Sequence, residues 1–299
     1  MHDCSTNQAD PASCDPPRLT RRRWLKAGLA ATAGAIVGLP AYAAFVEPHW
    51  VEVTRVTLPI RNLHPGLQAC RLVQISDLHV GPVVDFEYLT GVIRQVSALQ
   101  ADIVAITGDF LHHIGPQQIV ETESLLKDLA PARLATVAIT GNHDYGEGWN
   151  RRSVADRLTD RLDALGIHML RNSSTIVSGL QIAGVDDLWT PDFALDQTID
   201  SINTDAASLV LCHNPDAADL PGWGDYRGWI LAGHTHGGQC RFPVLGAPML
   251  PVSNRRYVAG AVAAPGGRTL YINRGIGYLR RVRFMVRPEI TVFELQPAV

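Results

Sequence analysis

Two kinds of hydrophobic pattern alternate along this chain. Short apolar runs at 71–76, 102–107, 136–140, 207–212 and 229–232 have the length and β-branched content of strands buried on both faces. The segment 51–58 alternates instead and reads as a first strand. Between the runs, 85–99 places Phe86, Leu89, Val92, Ile93 and Val96 at helical spacing, and 117–129 and 151–165 read as further helices. Segments near 168–171, 174–178 and 180–185 read as strands. The alternation predicts parallel βαβ units in the first half and a second half richer in strands and hairpins. No repeat or linker divides 46–299.

Each buried run stops at chemistry. The endings are Asp77-Leu78-His79, Gly108-Asp109, Gly141-Asn142-His143-Asp144, His213-Asn214 and Gly233-His234-Thr235-His236. One such ending is ordinarily a turn or a helix cap, and a lone histidine is ordinarily a loop residue. Five in order, along the carboxyl edge of one inferred sheet, point to a common site, because open α/β sheets bind ligands at that edge. Side chains at i and i+2 lie on one face roughly 6–7 Å apart. His234 and His236 can thus straddle two metal ions about 3.5–4 Å apart. Oxygen and imidazole donors without a thiolate suit Mn, Fe or Zn in a catalytic site better than structural zinc.

In this order, over 71–240, the motifs resemble the calcineurin-like metallophosphoesterase family. Gly237-Gly238-Gln239, the turn at 273–277, Val185-Asp186-Asp187 and Pro288-Glu289-Ile290-Thr291 resemble its exported or membrane-associated bacterial branch. The resemblance implies an α/β fold in which two mixed β-sheets form a β-sandwich flanked by helices. It implies that Asp77, His79 and His236 bind one divalent ion, that Asn142, His213 and His234 bind a second, and that Asp109 bridges them. His143 becomes the catalytic acid or electrostatic partner of the leaving group. Two ions bring +4 against −2 from Asp77 and Asp109, an excess that attracts phosphate and stabilises an anionic transition state. Metal-hydroxide attack on phosphorus then needs no protein nucleophile, and no Gly-x-Ser-x-Gly elbow occurs. One position departs from the family: Gly-Asp-x-x-Asp is usual, and here His112 stands for the second Asp, which would orient the catalytic histidine. His112 and His113 adjoin the site, His113 reading as a solvated loop residue.

The resemblance makes the expected activity phosphodiester hydrolysis on envelope or lipid-linked substrates. A metallo-nuclease of the same superfamily is the alternative, and a catalytically weak metal- or ligand-binding protein, suggested by His112, is another. Charge bears on the nuclease. The formal net charge is −3 with 18% charged residues, so there is no footprint for nucleic acid.

The first 45 residues read separately. Residues 1–17 are a polar leader. Thr20-Arg21-Arg22-Arg23-Trp24-Leu25-Lys26 resembles a twin-arginine export signal, followed by an uncharged Ala/Gly-rich run and Ala41-Tyr42-Ala43 as a cleavage site. A membrane anchor is the competing reading. The expected partner is the twin-arginine machinery, and the expected location is the periplasm or the outer face of the cytoplasmic membrane. The five cysteines lack Cys-x-x-Cys spacing. Free buried thiols are expected rather than a Cys212–Cys240 bridge. Finally, 278–287 mixes four arginines with apolar residues. Read as a strand, it places Arg281, Arg283 and Arg287 on one face, either a charged sheet edge or a basic lip toward an anionic membrane.

Overall fold

The computed structural model describes residues 20–298 except 113, 114 and 116. The leader at 1–17, Cys4, Cys14 and His113 lie outside the described residues. The chain divides into Met1–Tyr42 and Ala43–Val299. Helix α1 (Arg21–Phe45) carries the arginine triplet at its start and Pro40 within it. No helix among the described residues is long and apolar enough to cross a membrane.

The larger unit is built from two mixed six-stranded sheets. The first has the order β1 (Glu52–Ile60), β12 (Glu289–Pro297), β2 (Arg71–Ile75), β3 (Ile103–Thr107), β4 (Ala135–Ile139), β5 (Ile167–Met169). The second runs β10 (Gly260–Ala264), β11 (Arg268–Ile272), β9 (Trp229–Ala232), β8 (Ser208–Cys212), β7 (Leu180–Val185), β6 (Ser173–Val177). Strands β2 to β5 are parallel, as are β7, β8, β9 and β11, while β12 runs antiparallel to β2.

The period of two along each strand explains the unbroken apolar runs. In β3, Ile103 and Ala105 join the layer between the sheets with Val137, Ile139, Leu209, Leu211 and Leu231. Val104 and Ile106 turn the other way, against Leu89, Val92, Ile93 and Val96 of α2 (Phe86–Ala98). Helices α3 (Gln117–Leu126) and α4 (Arg152–Asp163) contribute Ile119, Leu125, Leu158 and Leu162 to the same layer. The second sheet's outer face packs Val210, Ile230 and Leu270 against Trp223, Tyr226 and α5 (Leu195–Asp200). Each central strand is therefore buried on both faces. Asp85 starts α2 where expected, its carboxylate accepting from Glu87 N–H at 3.1 Å.

Three expectations change. The polar endings do not line one sheet: those after β2, β3 and β4 belong to the first sheet, those after β8 and β9 to the second. A sequence pattern orders strands along the chain but does not say which partner each finds. Strands β10, β11 and β12 and helix α5 carry no strong periodic signal and emerge only in the fold. Lastly, 278–287 is not a strand, and its arginines do not share a face. Arg281 is exposed and lies over Phe45, Arg287 lies over the Trp50 ring at 3.7 Å, and Arg283 is fully buried. Cys70, Cys212 and Cys240 are free, Cys240 being only half-buried.

The Arg283 guanidinium donates to the carbonyls of Arg274 at 3.0 Å, Gly275 at 3.1 Å and Gly277 at 2.6 Å. It serves as a three-way clamp for the 273–277 turn, whose own amides reach Ser76 O and Asp77 O. Removing it takes the donor from the Arg274 and Gly277 carbonyls, each costing ~1–3 kcal/mol, while Gly275 O keeps the Glu289 N–H at 3.1 Å. Arg283→Ala should therefore lower the stability of the folded chain by about 3 kcal/mol or more, with Arg283→Lys intermediate. Urea denaturation checks this, and an unchanged midpoint for the alanine variant would refute the clamp.

Candidate metal centre

The aspartates and histidines of the motifs Asp77-Leu78-His79, Asp109, His143, His213 and His234-Thr235-His236 arrive at one place. Backbone hydrogen bonds lace the loops: Asp77 N–H donates to Gly108 O at 2.9 Å, His79 N–H to Asp109 O at 3.0 Å, and Gly233 N–H to His213 O at 3.1 Å. Both Asp77 carboxylate oxygens accept from His234 N–H at 3.1 Å, joining the first sheet's loops to the second's. Two glycines permit the approach. A side chain at Gly141 would collide with the Asp109 carboxylate, and one at Gly233 with Ser76 and the Asp77 carboxylate.

The donors then converge. Asp77 Oδ1 lies 3.3 Å from His236 Nε2 and 3.9 Å from His79 Nε2, and the two imidazole nitrogens face each other at 3.0 Å. Asp109 Oδ2 lies 3.6 Å from His79 Nε2 and 3.2 Å from His213 Nε2. His213 Nε2 is in turn 3.3 Å from His234 Nδ1. Asp77, His79 and His236 form one group able to hold a cation; Asp109, His213 and His234 form another; His79, Asp109 and His143 form a third.

The outward nitrogens fix the tautomers. His79 Nδ1 donates to Leu111 O at 3.3 Å, His213 Nδ1 to Thr107 O at 2.7 Å, and His234 Nε2 to Pro251 O at 3.0 Å. The neutral rings of His79 and His234 therefore turn an unprotonated nitrogen inward, whereas His213 keeps a second proton toward Asp109 Oδ2. Buried lone pairs crowded this closely are the donor set a cation takes up. Asn142 gives a second sign. It is 1% exposed, and neither amide atom has a hydrogen-bond partner among the described residues. A buried orphan carboxamide beside converging donors fits a metal ligand. The residues present thus fit a metal pair.

Electrostatics agree. Burial drives the Asp77 carboxyl up to about 7, with the Asp109 charge adding and His213 opposing. Burial also works against ionised Asp109, but the His213 imidazolium and the other rings hold that carboxyl well below its ordinary range. Burial lowers His79 and His236 well below the usual imidazole value and takes His234 down to about 3, keeping all three neutral. Neutral rings ligate metals, and a cation displaces the protons kept on Asp77 and His213.

A strained backbone accompanies the donors. Asp77 (φ 56°), His79 (49°), Asp109 (54°), His234 (70°) and His236 (50°) are all left-handed. Such conformations cost of order 1–3 kcal/mol each and gather where a site must be aimed.

Comparison with known proteins places this arrangement. The model of the family described as calcineurin-like phosphoesterase matches residues 70–238. The chain is 31% identical over 292 residues to an uncharacterized metallophosphoesterase, YkuE, of Bacillus subtilis, covering 93% of this chain and 98% of that one. It is 30% identical over 283 residues to phosphodiesterase YaeI of Escherichia coli, covering 93% and 99%. It is 27% identical over 325 residues to UDP-2,3-diacylglucosamine pyrophosphatase LpxG of Chlamydia trachomatis, covering 89% and 97%. The chain belongs to the calcineurin-like phosphoesterase family.

This phosphoesterase, a hydrolase, holds His143 against the converging donors. The His143 N–H donates to Asp109 Oδ1 at 2.9 Å, and its ring meets that of His79 edge-on at 4.8 Å. The Asp144 carboxylate accepts from Leu111 N–H at 3.0 Å and Gly141 N–H at 2.8 Å, where it ties the β3 and β4 loops together. The His112 ring stacks toward His143 at 6.3 Å and meets His79 edge-on at 5.8 Å.

Two residues at the site carry no motif. Trp149 and Trp189 stack at 4.9 Å, Trp189 standing edge-on to His234 at 4.5 Å and Trp149 lying 6.3 Å from His143. Tryptophans in irregular loops give no periodic signal, so only the fold reveals this wall. The buried Arg283, whose Nη2 lies 3.5 Å from His236 Nδ1, reads in the sequence as part of a charged strand face, and only the fold brings it beside the donors.

Proposed function

We propose that this phosphoesterase is a dinuclear-metal-dependent phosphodiesterase that acts on an envelope or lipid-linked phosphodiester. The observation that carries the reading is the Asp109 carboxylate, one oxygen of which faces donors from both sheets at 3.6 Å and 3.2 Å. Asp77, His79 and His236 would hold one ion and Asn142, His213 and His234 the other, with Asp109 shared between them. Bound there, two divalent ions, Mn, Fe or Zn, supply Lewis acidity toward phosphate oxygens and make water acidic enough to attack phosphorus near neutral pH.

The chain's own residues do the rest. With only two carboxylates among seven donors, the site keeps a positive excess for the phosphate. His143, tethered by its N–H to the bridging carboxylate, presents its ring beside the donors and serves the leaving-group oxygen as acid or electrostatic partner. His112 stands where the family usually has an orienting Asp, a departure that favours esters with good leaving groups. Phosphodiester or pyrophosphate bonds are supported by similarity to a named phosphodiesterase and to a named UDP-2,3-diacylglucosamine pyrophosphatase. The diacylated substrate in the latter name favours a lipid-linked one here. The Thr20–Lys26 motif at the start of α1 supports export by the twin-arginine machinery to the periplasm or the outer face of the cytoplasmic membrane.

Asp109→Asn or His236→Ala should abolish hydrolysis of a chromogenic phosphodiester and lower bound metal below two ions per chain by elemental analysis. Full turnover with both metals retained would sink the ligand assignment. His143→Ala should keep its metals and lose turnover by about 10²–10⁴, with a smaller loss for acidic leaving groups. An equal loss across leaving groups would make His143 a phosphate-positioning residue only. Replacing Arg21 and Arg22 by lysine should trap the folded precursor inside the cell, read by fractionation; normal export of that variant counts against the twin-arginine route.

A further inference from the structure

Beside the donors lies a cavity that the metal chemistry leaves unused. It measures about 530 Å³, begins at Thr235 and His236, and is walled by Met249, Leu250, Leu279 and Val282. That volume is within the range of sites that enclose a small-molecule ligand. Its two walls are fastened together. The Gln239 amide donates to Arg280 O at 3.0 Å and Val282 O at 2.8 Å, and its oxygen accepts from Leu279 N–H at 3.0 Å. Arg255 braces the opposite wall by donating to Ala247 O at 2.8 Å. The cavity is therefore preformed.

The loop that supplies one wall also presents an apolar tip to water. Phe242 and Gly246 exchange two backbone hydrogen bonds of 2.9 Å, closing a tight turn. At its tip Val244 takes φ 71°, an outlier for a β-branched residue. Val244 and Leu245 are 106% and 80% exposed, and Met249 is 75% exposed at the cavity mouth. Strain spent on exposing valine gains nothing in water and marks a surface shaped for another contact. Exposed Arg241 adjoins the turn in the chain, and exposed Arg280 lines the cavity with Met249, in a chain of net charge −3. Apolar tips with arginine beside them complement an anionic bilayer.

We propose that the cavity takes the apolar chain of a phosphoester lipid and that the 242–246 turn enters the bilayer to collect it. The proposal rests on the phosphodiesterase reading, which it extends by a lipid-tail subsite continuous with the metal centre through His236.

The full chain, loaded with Mn, should bind dansyl-undecanoate, and lysophosphatidylglycerol should displace it. Leu250→Trp, which fills the cavity, and Met249→Asp, which is exposed and safe for folding, should each weaken that binding by roughly tenfold or more. Leu245→Trp should add a fluorescence component quenched by vesicles of brominated-chain phosphatidylglycerol. Hydrolysis of bis(p-nitrophenyl) phosphate, run in parallel, reads the phosphodiesterase assignment alone; its absence in the wild type sinks that assignment, while the binding data still judge the cavity. Probe binding unchanged in both cavity variants, or no quenching at Leu245→Trp, overturns the proposal. So does a dimer that Val244→Ser/Leu245→Ser converts to monomer, since the turn would then be a self-interface.

Discussion

The structure depends on one electrostatic constraint, the gathering of buried imidazoles around the Asp109 carboxylate. Its Oδ2 faces His79 at 3.6 Å and His213 at 3.2 Å while its Oδ1 accepts from His143 N–H. A carboxylate buried this deeply is expensive on its own. Much of the surrounding architecture holds that arrangement closed. Thr107, Leu111 and Pro251 carbonyls turn the imidazoles inward, and the His234 amide fixes Asp77. Left-handed backbone at Asp77, His79, Asp109, His234 and His236 aims the side chains. The double-sided cores above and below each sheet resist relaxation of that strain.

The same constraint explains the two-sheet plan. A single parallel sheet presents its strand ends in a row, so donors at its far members are many ångströms apart at ~4.8 Å per strand. Folding the chain into two sheets brings the ends of β2, β3 and β4 against those of β8 and β9. Five loops can then meet around a volume a few ångströms wide. The clamp at Arg283 completes the arrangement by fixing the 273–277 turn under Asp77.

Polar chemistry ends abruptly on the other side of His236. There the loops carrying Met249, Leu250, Leu279 and Val282 enclose an apolar cavity that begins at a metal-centre histidine. The candidate metal centre and this cavity therefore share one wall, at His236. The Trp149–Trp189 wall lies on the His143 and His234 side, so the centre is bordered by aromatic rings on one flank and aliphatic side chains on another.

Much of this was readable along the chain. Buried strands announce themselves as short apolar runs, and α2 by its stripe of Leu89, Val92, Ile93 and Val96, because period and burial are local properties of sequence. The aspartates and histidines that converge were readable too, since they stand immediately after those strands and the motifs keep fixed spacing. Tertiary structure alone decided the rest. Which strands share a sheet depends on pairings between distant segments that local pattern does not encode. The arginine-rich 278–287 reads as an amphipathic strand, yet Arg283 turns inward to donate to three carbonyls of a distant-facing turn, and hydrogen-bond demand overrides polarity. Asp144 likewise spends its carboxylate on Gly141 and Leu111 amides. The donors were written in the sequence, while their partners were set by what the folded backbone left unsatisfied.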